Sequence, residues 1–432
     1  MKLTVLLLLL MGFVCKTQAQ VENINNIINT REVLNTLSVL ASDEMRGRKA
    51  YSPEIDSAAR FIASSFSQSG LLPLQGKQNY FQEFYTWRTR LIAASGTADG
   101  IAFNQEDIAL LATDSLVQFH TNEEFDKIYI RPGASLQSEL GKLIKDNKKC
   151  IVFIDTTQKQ MFKRLKRMQP QTFSSMQPIL FVLYSGKPLL QMEFTIQQSV
   201  IQQKLTNVAG LLPGTSKKDE YVVFSAHYDH LGVGKMNAAN DSIYNGANDD
   251  ATGTTAVMLL AKYFSQLPKM ERSIIFVAFT AEEIGGFGSR YFSAQVDPAT
   301  LVAMFNIEMI GTESKWGTHS AYITGYEKSD FGKILQQNLA GTHFHFEPDP
   351  YPSQQLFYRS DNASLAAVGV PAHTISTSKM DVEKYYHTQG DEIATLDIEN
   401  MTQIIQAIAL SSTSIIEGKQ TPARISALET QH

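Results

Sequence analysis

Residues 273–279 form a near-continuous apolar run that is followed within four positions by two adjacent acids, Glu282 and Glu283. A strand this apolar belongs in a sheet covered on both faces. Two carboxylates placed straight after it are costly unless they have partners. The same pattern recurs along the chain. Residues 221–225 lead into His227-Tyr228-Asp229, and residues 301–307 lead into Glu308. Residues 208–212 and 321–324 are further strand candidates, the first closed by the turn pair Pro213-Gly214. Residues 25–41, 53–69, 249–266 and 396–416 carry apolar side chains at helical spacing. Apolar strands alternating with amphipathic helices predict an α/β fold, and open sheets of that kind hold their ligands at the carboxyl ends of the strands.

The 432-residue length exceeds what one core usually organises, so a large domain with an insertion is expected. Between residues 91 and 206 the pattern changes to short β-like runs, at 127–130, 150–155 and 179–184, among polar stretches. No cluster of ligand-type residues falls there. The expected layout is a signal peptide at 1–19, the first part of the main domain at 20–90, an inserted β-rich subdomain at 91–206, the main domain resuming at 207–417, and a loose polar tail at 418–432.

The first 19 residues have Lys2, an apolar stretch over 3–14 and the small-residue ending Thr17-Gln18-Ala19, which reads as an export signal too short to span a bilayer. Cys15 invites a lipid anchor, but Phe13-Val14 before it is a poor match for lipid attachment. Without Lys2 and Lys16 the balance is 36 basic to 43 acidic residues, a formal −7 against −5 for the whole chain. That balance argues against nucleic acid or an anionic membrane as partner. No later segment reads as membrane-spanning, so the expected location is periplasmic or extracellular. After cleavage Cys150 is the one remaining cysteine, and its apolar surroundings make it a core residue.

His227, Asp249, Glu283, Glu308 and His387 are the residue types a two-metal hydrolase needs, and the first four follow strand-like runs. A neutral imidazole is a good zinc ligand. Asp229, two residues beyond His227, is placed to fix its tautomer. Asn248-Asp249-Asp250-Ala251-Thr252-Gly253 opens a predicted helix; acids there also serve as ordinary caps, but after a His-x-Asp strand a carboxylate bridging two cations becomes plausible. Of Glu282 and Glu283, adjacent side chains that point apart, one can bind metal while the other faces the attacking water. His230 and His373 lie near the cluster and could support the ligands from behind, but stay outside the expected ligand set. His343 and His345 alternate as in a strand, and His120, His319 and His432 have no acidic partner pattern.

The segments "SAHYDH", "GANDDATG", "FTAEEIGGFGS", "NIEMIG" and "YYHTQGD", with "LASDEMRGR", "NVAGLLPG" and "RSDNASLAAVGVPA", resemble in order and spacing the cocatalytic-zinc exopeptidase family of bacterial leucyl aminopeptidases, glutamate carboxypeptidases and the transferrin-receptor fold. The resemblance implies a three-layer αβα sandwich with a central mostly parallel, mixed sheet. It implies two zinc ions bridged by Asp249, with Glu283 and His387 completing one site and His227 and Glu308 the other. It also implies Glu282 as general base, Tyr386 as a stabiliser of the tetrahedral oxyanion and a cis peptide between Asp249 and Asp250. The family usually has Asp where Glu308 stands, so the geometry of that ligand differs here. The insertion is compatible with a protease-associated domain. The expected activity is that of a peptide-hydrolysing aminopeptidase. The alternatives are a carboxypeptidase, for which Arg359 would bind a terminal carboxylate, a one-zinc glutaminyl cyclase, and a non-catalytic receptor-like binding module.

Overall fold

The computed structural model describes residues 24–166, 173 and 175–426. The expected signal segment with Cys15, and the last residues of the tail, lie outside them. The described chain divides into two compact units: one ends at Glu83 and resumes at Leu205, and the other spans Phe84–Lys204.

In the first unit, helices α1 (Thr30–Leu40) and α2 (Pro53–Gln68) come first, each opened by a side-chain cap, Asn29 and Ser52. The sheet is built from the end of β1 (Met192–Leu212), β2 (Lys217–His227), β3 (Arg272–Phe279), β4 (Leu301–Ile307), β5 (Ser320–Ile323), β6 (His345–Pro348) and β7 (Ala372–Ser376), in the spatial order β6-β5-β7-β4-β2-β3-β1. Strands β7, β4, β2 and β3 run parallel to one another, whereas β1 and β5 are antiparallel to their neighbours β3 and β7. This is the mixed, mostly parallel sheet the sequence implied.

Alternation along β2 explains the layers. Val222, Phe224 and Ala226 face a core shared with α1, α2, α3 (Thr252–Ser265) and α4 (Ile398–Ser411). Val223 faces the opposite core, with Phe292 of the helix Phe287–Gln295 and Leu365. Phe224 stacks on Phe305 of β4 and Phe276 of β3, at centroid distances of 4.8 and 5.6 Å, which locks three parallel strands side by side.

The Phe84–Lys204 unit has a four-stranded sheet in the order Ile108–Leu111, Ile179–Leu183, Cys150–Ile154, Asp126–Ile130, with helices Leu136–Asp146 and Lys159–Leu165 that the sequence had left as polar stretches. Cys150 is buried in it, and burial pushes its thiol up to about 11, as suits an inert core residue.

Two further expectations are corrected. The helix expected from residue 249 begins at Thr252, because the backbone at Asp249 and Asp250 is non-helical. The tail is not loose over 418–426. The buried guanidinium of Arg272 draws in the carbonyls of Ile415 and Gln420, both at 2.7 Å, and Ile425 joins a core. Among the described residues no helix is long and apolar enough to cross a membrane.

Candidate metal centre

The carboxyl ends of the parallel strands converge on one cluster. His227 is the last residue of β2, Glu282 and Glu283 follow β3, Glu308 follows β4, Asp249 precedes α3, and His387 lies in the loop after β7. Side chains as far apart as positions 227 and 387 meet because adjacent parallel strands end side by side.

Asp249 is at the centre. Its Oδ1 is 3.2 Å from His227 Nε2, and its Oδ2 is 3.3 Å from His387 Nε2. His227 Nε2 is also 3.6 Å from Glu308 Oε1, and His387 Nε2 is 3.2 Å from Glu283 Oε2. Donors bound to one zinc ion at tetrahedral angles lie about 3.3 Å apart. Two such sets therefore share Asp249. His227 Nε2 and Asp249 Oδ2 are buried and make no hydrogen bond with any described residue, as befits atoms reserved for a cation. The donor set fits divalent metal ions.

The electrostatics point the same way. Asp229, Asp250, Asp361 and Asp391 crowd the five ligand-type residues and Glu282, all within buried or half-buried space. Burial pushes the carboxyls of Asp229 and Asp391 up to about 6 and that of Asp361 to about 7. Burial, reinforced by Glu308 and Asp361, holds Glu282 well above the usual carboxylate range. Burial would push His227 down, but its contacts with Asp249 and Glu308 override this and hold it well above the ordinary histidine value. Contact with Asp249 and Glu283 raises His387 to about 10. So many carboxylates around two imidazoles stabilise positive charge at this place.

The surrounding main chain is held by the other acids. Asp250 carries its carboxylate under the site, accepting from the N–H groups of Gly253 and Met309, both at 3.0 Å. A side chain at Gly253 would collide with the Ile307 carbonyl and the Asp250 carboxylate, so only glycine lets α3 start this close to β4. The peptide bond between Asp249 and Asp250 is cis. Ser360 donates to Glu308 Oε2 and accepts from Asn306 Nδ2 at 2.8 Å, and Asn306 in turn accepts from Ser225 at 2.7 Å. This chain of bonds fixes the longer Glu308 side chain.

Asp229 corrects one expectation. His227 Nδ1 donates to the main-chain carbonyl of Asp229 at 3.1 Å, while the carboxylate lies 3.8 Å away. The carboxylate is turned toward the N–H groups of Glu282, at 3.0 Å, and Glu283, at 3.4 Å. Asp229 therefore sets the His227 tautomer through its backbone and holds the Glu282-Glu283 turn through its side chain.

Tyr386 stacks on His387, with centroids 3.9 Å apart, and lines a small pocket beside Glu308 with Met309, Tyr322, Leu356, Arg359 and Met380. Burial, and then Asp249 and Glu283, raise its hydroxyl above the ordinary tyrosine value, so it stays a proton donor at neutral pH.

Sequence reasoning left several residues of the site without a role. His230 is fully buried, with Nδ1 2.7 Å from Glu283 Oε1 and 3.8 Å from Asp249 Oδ2. Its position three residues after His227 was the available signal. Arg48 ends the early segment "LASDEMRGR" and Asp391 ends "YYHTQGD", four positions after His387, yet neither is a ligand-type call in the sequence. His373 belongs elsewhere, on β7 between Ser329 and Thr324.

Fold and centre together place the protein among α/β proteins that hold paired metal ions at the ends of parallel strands. Residues 207–412 match the model of peptidase family M28. Aminopeptidase YwaD of Bacillus subtilis is 24% identical over 255 residues, which are 54% of this chain and 50% of that protein. Leucine aminopeptidase 1 of Ajellomyces capsulatus is 27% identical over 241 residues, covering 49% of this chain and 59% of that one. The chain spans about half the length of these curated relatives. Among solved structures, an aminopeptidase from Aneurinibacillus sp. strain AM-1 superposes with a TM-score of 0.52 at 17% identity, covering 95% of this chain and 98% of that one. A zinc aminopeptidase from Bacillus subtilis gives 0.54 at 18%, covering 91% and 97%. These likenesses show the fold.

Proposed function

We propose that the protein is an exported dizinc aminopeptidase. The observation that carries this reading is the two-faced carboxylate of Asp249, whose oxygens each meet a separate imidazole that in turn meets a separate glutamate. His227, Asp249 and Glu308 would hold one zinc ion, and Asp249, Glu283 and His387 the other. When bound, such a pair acidifies a water and polarises the scissile carbonyl.

The chain's own groups supply the rest. Glu282 takes the proton of the attacking water and returns it to the leaving amine, work suited to a carboxyl whose proton affinity is raised by burial. Its backbone is pinned by Asp229, so the side chain starts from a fixed point. Tyr386 donates a hydrogen bond to the developing oxyanion. The pocket between Met309 and Met380 receives the side chain of the residue to be released. Export rests on the pattern of residues 1–19.

A carboxypeptidase is the second reading, favoured by one observation: Arg359 lines that pocket and would face a terminal carboxylate. Purified protein stripped by chelator and reloaded with zinc separates the readings when offered aminoacyl amides, carboxy-terminal peptides and N-terminal glutamine peptides. Zinc-dependent release of N-terminal residues is expected. Release from the carboxyl end favours the second reading, and ammonia release without cleavage favours a cyclase. No turnover with both ions bound leaves a binding module.

A further inference from the structure

His230 is the one imidazole at the centre that neither the resemblance nor the expected ligand set uses. It is fully buried, yet neither ring nitrogen makes a hydrogen bond with any described residue. The same holds for the two oxygens it faces, Glu283 Oε1 and Asp249 Oδ2. A buried imidazole normally satisfies at least one nitrogen, and leaving both unpaired is costly.

The ring cannot turn away to find partners. Gly246 packs so closely that a Cβ there would lie 2.5 Å from two of its atoms. It packs edge to face with His387, with centroids 5.8 Å apart and an interplanar angle of 67°. The 2.7 Å approach of Nδ1 to Glu283 Oε1 lacks the alignment of an N–H donor. The unpaired nitrogen and the unpaired oxygens lie close together, at 2.7 and 3.8 Å. His230, Asp249 and Glu283 place their ligand atoms within 4.8 Å of one another.

Building on the dizinc reading, we infer that His230 Nδ1 is an additional protein ligand of the ion held by Asp249 Oδ2, Glu283 and His387. This makes the two positions unequal. The His230 position has four protein donors, two of them imidazoles, and is closed by the protein. The His227 position has three and keeps a place open, the pattern of a catalytic rather than a structural zinc. The His230 position then fills first and empties last, and it selects zinc over harder ions because imidazole suits zinc.

The test uses the full chain with Zn²⁺ and Co²⁺ and reads binding rather than turnover. In wild-type protein, chelator competition is expected to resolve a tight and a weaker ion. His230→Asn is expected to weaken the tight ion by a hundredfold or more, above the roughly 10–100-fold loss of a residue that only orients a ligand. The weaker ion should be unchanged. In the Co²⁺-loaded wild type, three exchangeable, paramagnetically shifted imidazole N–H resonances are expected, from His227, His230 and His387, and two in His230→Asn. Two such resonances in wild type, or unchanged affinities in the variant, would overturn the assignment while leaving the dizinc reading intact. If His230→Asn does not fold, the wild-type count decides. A wild-type protein that binds fewer than two ions defeats the dizinc reading itself, and this inference with it.

Discussion

Asp391 accepts hydrogen bonds from the backbone N–H groups of Asn248 at 2.7 Å and Asp249 at 3.0 Å, one with each carboxylate oxygen. The bridging residue is thus held by a carboxylate that follows His387 by four positions in the same loop. The two-point grip fixes where Asp249 starts and, with it, both metal positions. Asp391→Asn keeps the shape but can accept only one of the two bonds. It is expected to weaken metal binding about 10–100-fold with little change in fold. Chelator competition against Zn²⁺ measures this; undiminished affinity for both ions would show that Asp249 needs no such support.

Glu282→Gln preserves volume and removes the proton acceptor. Glu282 belongs to neither ligand set, so both ions should stay bound while kcat falls by roughly 10²–10⁴. Metal content by atomic spectroscopy, taken on the same sample as the turnover assay, checks both halves. Normal turnover with full metal content would remove Glu282 from the mechanism.

Much of this arrangement is legible in the sequence, for a physical reason. Strands buried on both faces must be apolar throughout, so β3 and β4 stand out as runs and the charged residues that follow them stand out against those runs. The reading weakens where a partner is remote. Residue 249 resembles a helix start, and the helix begins later because Asp391 holds its amide. The long strands Phe81–Ala98 and Met192–Leu212 mix polar and apolar positions over stretches where only alternate residues are buried, so no continuous run marks them. A single histidine such as His230 has no periodicity at all; its place three residues after His227 is the one sequence signal, and its burial without partners reveals the rest.

Arg48 illustrates the remote case. Its fully buried guanidinium donates to the carbonyls of Leu40 at 2.5 Å, Asn245 at 2.7 Å, and Gly246 and Tyr228 at 2.9 Å. Gly47 beside it sits at φ 68°, where a Cβ would lie 2.3 Å from the Tyr244 carbonyl, so the turn that delivers Arg48 requires glycine. Burial lowers the pKa of Arg48, and Asp391, Asp229 and Asp249 offset this as the acids it neutralises. Arg48→Met removes the donor from the carbonyls of Leu40, Asn245 and Tyr228, leaves that of Gly246 only the Ala251 N–H at 3.2 Å, and leaves nearby carboxylates uncompensated. It is expected to cost about 3–5 kcal/mol, by analogy with breaking a buried ion pair. Arg48→Lys should recover only part of this, because one ammonium cannot span the same acceptors. Urea unfolding at saturating Zn²⁺ gives the number; an unchanged midpoint for Arg48→Met would mean the clamp is idle.

His373 predicts an acid-side loss of stability that does not depend on the metals. Its Nδ1–H donates to the Thr324 carbonyl at 2.8 Å, Nε2 lies 2.7 Å from the Ser329 hydroxyl, and the ring stacks on Phe331 with centroids 4.9 Å apart. A proton on Nε2 would displace the Ser329 donor and put a charge between aromatic rings. Burial therefore lowers this histidine from 6.5 to about 4, against the opposing contact with Thr324. Between those values the unfolded chain binds the proton and the folded chain does not, so the contribution is present above pH 6.5 and is lost as pH falls toward 4. His373→Gln has no such proton. The stability advantage of wild type over this variant should shrink by about 2 kcal/mol between pH 7.5 and pH 5. Urea midpoints of both chelated proteins at the two pH values give that difference, with the other titrating groups cancelling. A gap that stays constant, or widens at pH 5, would place the His373 proton on the folded protein after all.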